Sequence, residues 1–367
     1  MKKSYLFFFV HPAKFHLSRI TINHLISQGH LVDVVIVGKD ILEELVINEG
    51  WKYTKIFPNG RRVKWLHIWL SAGIFIGLTI VKLLKIIRKR RYDLFITDDC
   101  LTFVGRLVGV PSVFVTDDDL TAVPESWILM SSSNHILAPS MCNLGKYNDK
   151  KWNYYGYKSL FHLHPKRFTP DVSKIKNEFQ KEDYFFIRTV SATSTHDVGK
   201  RGIDDNLLRK IINLLKSNGK IILNSERQLP VDLQQYVVDF CKNDVAHYVA
   251  HSKIFISDST TMCAEACVLA VPSIEIDDWY SDFVQYSELN DKYSLLFGFG
   301  VEDIKGIANK IKELLAEKAL KEKFQNKRDV MLREKIDPSS LLIWMINNYP
   351  ESSRLLIEDR DFQMKFK

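Results

Sequence analysis

The sequence predicts an α/β fold: two Rossmann-like domains in tandem, with their strand ends facing each other across a cleft. Three observations carry this. Short apolar runs alternate with helical stretches through the first half, as in a parallel sheet covered on both faces. The alternation stops over 157–183, a polar stretch with two prolines and many charges, which reads as a linker. It then resumes.

The first strand is 4–10, SYLFFFV. Its apolar run is too short for a signal peptide and Pro12 ends it, so no cleavable leader is expected. Strands follow at 31–37, 52–57, 93–97, 112–116, 135–138 and 152–155, all short, apolar and rich in β-branched or aromatic residues. Helices are expected between them at 14–28, 40–49, 64–90, 100–108 and 140–147. Beyond the linker come strands 184–189, 220–224, 253–257 and 272–276, and helices 204–218, 230–241 and 259–269. Asp303 is placed to cap a helix over 304–317, with more helix to about 348 and a charged tail. The predicted domains are 1–165 and 166–345, with 346–367 as a tail packing back on the first.

Of the 367 residues, 46% are hydrophobic and 26% charged, which excludes disorder and low complexity. Five cysteines, an odd number without CxxC spacing, argue against a disulfide framework or a zinc site. A reducing, cytoplasmic compartment is expected, with no metal and no nucleic-acid partner. The net charge of +7 is a modest excess. Much of it lies in Arg61, Arg62 and Lys64 and in Lys82, Lys85 and Arg88–Arg91, which flank an apolar stretch at 65–81. Three readings of 61–91 stay open, in this order: a buried or partly exposed amphipathic helix, peripheral contact with the inner face of the cell membrane, and a membrane span.

Ligands of such sheets bind just beyond the strands' carboxyl ends, so polar residues there are the candidates. After the first strand, HPAKFH supplies His11 and His16, as an imidazole donor or as capping and packing residues. Asp98 and Asp99 follow strand 93–97, and Asp117–Asp119 with Glu125 follow strand 112–116. Some of these acids fit helix caps; crowded carboxylates also raise one another's pKa, which suits proton transfer. Arg188 ends strand 184–189, and the loop after it carries Ser191, His196 and Lys200, suited to phosphate. Ser225, Glu226 and Arg227 repeat the pattern after strand 220–224. In ISDSTTMCAEACVLAVPSI (256–274), Asp258, Ser259, Thr260 and Thr261 stand where a strand gives way to a helix. Free amides and hydroxyls there suit a diphosphate. Glu265, the one charge on an otherwise small and apolar helix, is placed to accept both ribose hydroxyls.

At these residues, and at GYKSLFHLHPKRFTPD (156–171) and SATSTHDVGKRG (191–202), the sequence resembles the GT-B superfamily of Leloir glycosyltransferases and non-hydrolysing UDP-N-acetylglucosamine 2-epimerases. It is most similar to an archaeal and bacterial GT-B-like family often found with surface-polysaccharide genes. The resemblance implies a nucleotide site at Asp258, Ser259 and Glu265, with Thr260 and Thr261 where the epimerases have glycines. It gives Asp99, Asp117 and Glu125 as counterparts of the epimerases' catalytic acids and His196 as a loose stand-in for a histidine-led motif. His11-Pro12-Ala13 replaces their arginine-proline-glutamate signature.

Three functions follow as expectations. The first is a nucleotide-sugar-dependent glycosyltransferase acting on a saccharide or lipid-linked acceptor in surface polysaccharide or glycolipid synthesis. There Arg188 or Lys200 neutralises the diphosphate, and Asp99 or Asp117 is the base. The second is a UDP-N-acetylglucosamine 2-epimerase-like enzyme using Asp99, Asp117 and Glu125. The third is a non-catalytic sugar-nucleotide-binding module. No cofactor is expected; the nucleotide-sugar, taken as UDP-linked, is a substrate.

Overall fold

The computed structural model describes residues 2–38, 41–58, 68–190, 201–282 and 284–367, with 68–72 as backbone only. The chain divides into two compact units: Met1–His162 with Ile336–Lys367, and Leu163–Lys335. The helix Pro338–Asn347, assigned by the sequence largely to the second domain, therefore belongs to the first unit. The reason is burial. Leu341, Leu342, Met345 and Ile346 complete the apolar cluster around Phe7 and Phe9 of the first sheet.

The first unit holds seven strands: β1 (Ser4–Phe9), β2 (Leu31–Val37), β3 (Tyr53–Phe57), β4 (Leu94–Thr97), β5 (Ser112–Val115), β6 (His135–Pro139) and β7 (Lys151–Tyr154). All pair in parallel, in the order β3-β2-β1-β4-β5-β6-β7. Both faces of β1 are buried, which is why its sequence is apolar without alternation. Phe7 and Phe9 meet the helices Pro12–Ser27 and Pro338–Asn347 on one face; Leu6 and Phe8 meet Ile68–Ile87 and Leu101–Val108 on the other. No helix among the described residues is long and apolar enough to cross a membrane.

The second unit holds β8 (Tyr184–Thr189), β9 (Lys220–Ser225), β10 (Ile254–Ser257), β11 (Ser273–Ile276) and β12 (Leu296–Phe299), parallel in the order β12-β11-β10-β8-β9.

Two expectations are corrected and one strand is added. No α-helix forms over 140–147; a 3-10 turn runs from Gly145 to Lys150. There the Asn148 side chain accepts from the Leu144 amide at 3.1 Å and donates to the Gly145 carbonyl at 2.9 Å, a local bond that competes with helix. The expected helix 230–241 stops at Gln234, because Val237 pairs with Leu223 beside β9. β12 was not foreseen.

Candidate functional site

In open parallel sheets, ligands collect where the strand order reverses. Each unit has one such point, and the polar residues concentrate there.

In the first unit the order reverses between β1 and β4. The chain leaves β1 through His11, which caps the next helix by accepting from the Ala13 amide at 3.2 Å, with Pro12 in its first turn. That helix carries Lys14, whose ammonium lies 2.5 Å from Asp117 Oδ1; Lys158 pairs with the other oxygen. All three side chains are at least 86% buried, with 13%, 10% and 14% exposure for Lys14, Asp117 and Lys158. Burial alone would raise the Asp117 pKa, but Lys14 and Lys158 outweigh it and hold the carboxyl well below its ordinary range. Asp117 is therefore a fixed anion rather than a proton acceptor.

Asp98 behaves differently. It accepts from the Val10 amide at 3.3 Å. Burial first, then the charge of Asp99, pushes its pKa up to about 7, against the pull of Lys14. A carboxyl with that pKa can take or give a proton near neutrality. Asp99 itself accepts from the Cys100 amide at 2.6 Å, at the start of the helix Leu101–Val108. His16 stacks on His162 with ring centroids 4.9 Å apart. Glu125 is exposed on the 3-10 turn Pro124–Ser126 and has no hydrogen bond or ion pair to this cluster among the described residues.

In the second unit the order reverses between β8 and β10. Asp258 follows β10 and is 3% exposed. One of its oxygens accepts from the Val190 amide at 2.9 Å, the other from the Ile203 amide at 3.1 Å. It thereby clasps both ends of the 191–202 segment. Burial raises its pKa to about 6, against those amide bonds. Gly202 is required beside it, since a Cβ there would meet Asp258 Oδ2 at 2.5 Å. Val190, Gly202, Asp205, Arg227, Asp258 and Trp279 line a cavity of about 310 Å³. Arg227 enters it paired with Asp205.

The helix Thr260–Val268 begins beside this cavity's wall. Ser259 sits at its N-cap with extended backbone and makes no side-chain capping bond. The first-turn amides thus lack the usual hydroxyl partner. Thr260, Thr261 and Glu265 are half-buried along this helix. Arg188 bonds Asn224 and Glu226, and its Nε is buried with no hydrogen-bond partner among the described residues. Ser225 is held internally, accepting from Thr189 Oγ1 at 2.9 Å and from the Arg227 amide at 3.1 Å. Ser191, His196 and Lys200 lie outside the described residues.

The structure thus gathers Asp98 and Asp117 in one unit, and Asp258, Ser259, Thr260, Thr261, Glu265 and Arg188 in the other. It adds residues not singled out from sequence: Lys14, Lys158, and the fully buried Glu275 and Asp277 of the β11 end. Among the described residues neither Glu275 oxygen meets a hydrogen-bond partner, and Thr260 and Asp277 are its polar neighbours. Burial, then Asp277, raises its pKa well above the carboxylate range. An acid inside the apolar run SIEI was the available signal. Among the described residues, no group of three or more His, Cys, Asp or Glu is placed to hold a metal ion.

No protein-family model matches the chain, and no curated protein sequence matches it. Solved structures do share its fold. A UDP co-structure of S. aureus MnaA superposes with a TM-score of 0.65 at 12% identity, covering 100% of this chain and 98% of that one. The UDP-GlcNAc 2-epimerase from Neisseria meningitidis, bound to UDP-GlcNAc, gives 0.64 at 14%, covering 93% and 98%. The spinosyn forosaminyltransferase SpnP gives 0.64 at 14%, covering 98% and 100%. The fold is that of the GT-B-like α/β proteins, shared by sugar-nucleotide epimerases and glycosyltransferases.

Proposed function

We propose that the chain is a nucleotide-sugar-dependent glycosyltransferase acting on a saccharide or lipid-linked acceptor, in surface polysaccharide or glycolipid synthesis. The observation that carries this reading is the uncapped helix start at Ser259 beside the cavity walled by Asp258 and Arg227. A diphosphate accepts from first-turn amides and from the Thr260 and Thr261 hydroxyls. Glu265 stands one turn on from Thr261, roughly 6 Å along the axis, a reach that suits the two ribose hydroxyls. Two solved neighbours hold UDP or UDP-GlcNAc, which favours a UDP-linked donor. Arg188 or Lys200 is assigned to balance the diphosphate charge. For the base on the acceptor hydroxyl, Asp98 is the better candidate than Asp117 or Asp99. Its proton is exchangeable near neutrality, whereas Asp117 is locked between two ammonium groups. The acceptor oxygen bonds the anomeric carbon as its proton passes to the carboxylate, and the nucleoside diphosphate departs with the bonding pair.

A second reading, 2-epimerisation of a UDP-sugar, is favoured by one observation: Asp98 beside the Lys14–Asp117–Lys158 set offers a proton donor-acceptor next to fixed charges. UDP-N-acetylglucosamine followed by NMR without any acceptor separates the readings. A transferase leaves the sugar unchanged until an acceptor is added, an epimerase produces the 2-epimer at once, and a binding module turns over neither way. Glu265→Ala should weaken UDP affinity by about 10- to 100-fold in calorimetry, the worth of hydrogen bonds to a charged group. Unchanged affinity would remove Glu265 from the site.

A further inference from the structure

The helix Ile68–Ile87 has an outer face that the sugar-nucleotide reading leaves unused. Inward, Leu83 and Thr79 are fully buried, and Phe75 meets Phe57 at 5.3 Å between ring centroids. Outward, Ile74, Leu78 and Val81 are 52%, 45% and 49% exposed; Ile76, at 43%, lies off this face. Lys85 is exposed on the same face, and Arg88 and Lys89 are exposed just past the helix end. At 3.6 residues per turn Ile74, Leu78, Val81 and Lys85 fall within roughly 60° of the helix circumference, and Arg88 and Lys89 follow in the turn after Ile87. The stripe is thus apolar in its first half and basic in its second, and Arg91 continues it. No Asp or Glu occurs anywhere in 68–91. Gly73 and Gly77 border the apolar half with open space around them. Lys82 is not part of it: its ammonium turns inward, 2.5 Å from the Ile56 carbonyl and over the Phe57 ring.

A solvent-facing helix stripe is ordinarily polar. Large aliphatic side chains left half-exposed at successive turns mark a contact surface, and charge decides the occupant. The apolar half gains from hydrocarbon and the basic half from anions, side by side along one axis. A symmetric pair of chains offers no such match. A pair centred on the apolar half would leave the basic half facing solvent, and a pair in full overlap would set basic residues against basic or apolar ones.

We propose that this stripe docks the first unit on an anionic phospholipid bilayer, with the helix in the membrane plane. Ile74, Leu78 and Val81 then enter the acyl boundary, and Lys85, Arg88 and Lys89 lie at the headgroups. The inference does not depend on the enzyme's reaction.

Co-flotation of the full chain with phosphatidylcholine vesicles, with and without phosphatidylglycerol, tests it. Binding should require phosphatidylglycerol and weaken with added salt. Neutralising Lys85→Gln, Arg88→Gln and Lys89→Gln together should lower the partition coefficient roughly a hundredfold, at about fivefold per basic side chain near an anionic surface. Ile74→Ser, Leu78→Ser and Val81→Ser together should lower it at least about tenfold. A control with the same charge change on the second unit, Lys305→Gln, Lys312→Gln and Lys318→Gln, should stay within about threefold; all three residues are exposed. All variants alter exposed side chains, and matching circular dichroism establishes that they are folded. Equal loss in the control would overturn the docking surface in favour of net charge alone. So would absent binding by the wild type, or lipid-free dimers that the serine variant dissolves.

Discussion

Replacing Asp98 by Asn tests the first unit's site through stability and turnover together. The folded carboxyl titrates at about 7, against an ordinary 3.8, because burial and Asp99 oppose its ionisation. Its folded pKa is raised, so the sign is the reverse of the usual carboxylate case. Between roughly pH 4 and 7 the unfolded chain has released a proton that the folded chain retains. Unfolding then releases a proton, and stability falls as pH rises, by at most about 1.4 kcal/mol per pH unit. Across about three units the ceiling is ~4 kcal/mol. Asp98 is only partly buried by surface area, and screening by water brings the expected figure to about 2 kcal/mol. Asn carries no such proton. The stability of Asp98→Asn relative to wild type should therefore rise by ~2 kcal/mol from pH 4 to pH 8. Urea unfolding followed by tryptophan fluorescence reads this, since every tryptophan except Trp279 belongs to the first unit. In the same variant, the acid limb of kcat/KM near pH 7 should vanish. A stability difference constant within about 0.5 kcal/mol across that range would refute the assignment, because an ionising group worth ~2 kcal/mol cannot hide there.

Two further outcomes follow from side-chain geometry. Asp117→Asn leaves Lys14 and Lys158 buried against each other and should cost about 3–5 kcal/mol. Lys158→Met keeps the Lys14–Asp117 pair and should cost less, about 1–3 kcal/mol; urea midpoints in the opposite order would contradict the charge arrangement. Gly202→Ala sets a Cβ at 2.5 Å from Asp258 Oδ2, so it should destabilise the second unit by about 1–3 kcal/mol and weaken UDP binding. Calorimetric unfolding and titration check both, and a fully native variant would mean that the clasp yields freely.

The strands of both sheets were legible because parallel strands buried on two faces are written as unbroken apolar runs, Leu6–Phe9 being the plainest. β12 escaped because Gly298 and Gly300 sit in and beside its short run, and glycine reads as a turn. The rule that polar residues follow strands found Asp117, Asp258 and the 259–261 helix start. It could not reveal that Lys14 and Lys158, far apart in sequence, converge on Asp117, because pairing across such separations leaves no local pattern. Lys158 also lies in a stretch read as linker, whereas the first unit continues through His162. Glu275 was visible only as one acid in an apolar strand, and its burial depends on the elements stacked around it.

The interrupted make-up of the first unit bears on how the chain acquires its structure during synthesis. Its sheet needs Ile336–Lys367: Gln363 accepts from the Tyr155 amide at 2.6 Å and donates to Asn153 at 3.0 Å, and Ser339 donates to the Phe161 carbonyl at 2.6 Å. Those groups emerge from the ribosome only after the whole second unit. At ~5–20 residues per second, the seven early strands wait on the order of tens of seconds for their final partners. The later-made unit, continuous from Leu163 to Lys335, has all its own residues before the earlier one does. The nascent amino-terminal half must meanwhile keep an unfinished apolar face out of trouble, which makes it the natural client of a chaperone.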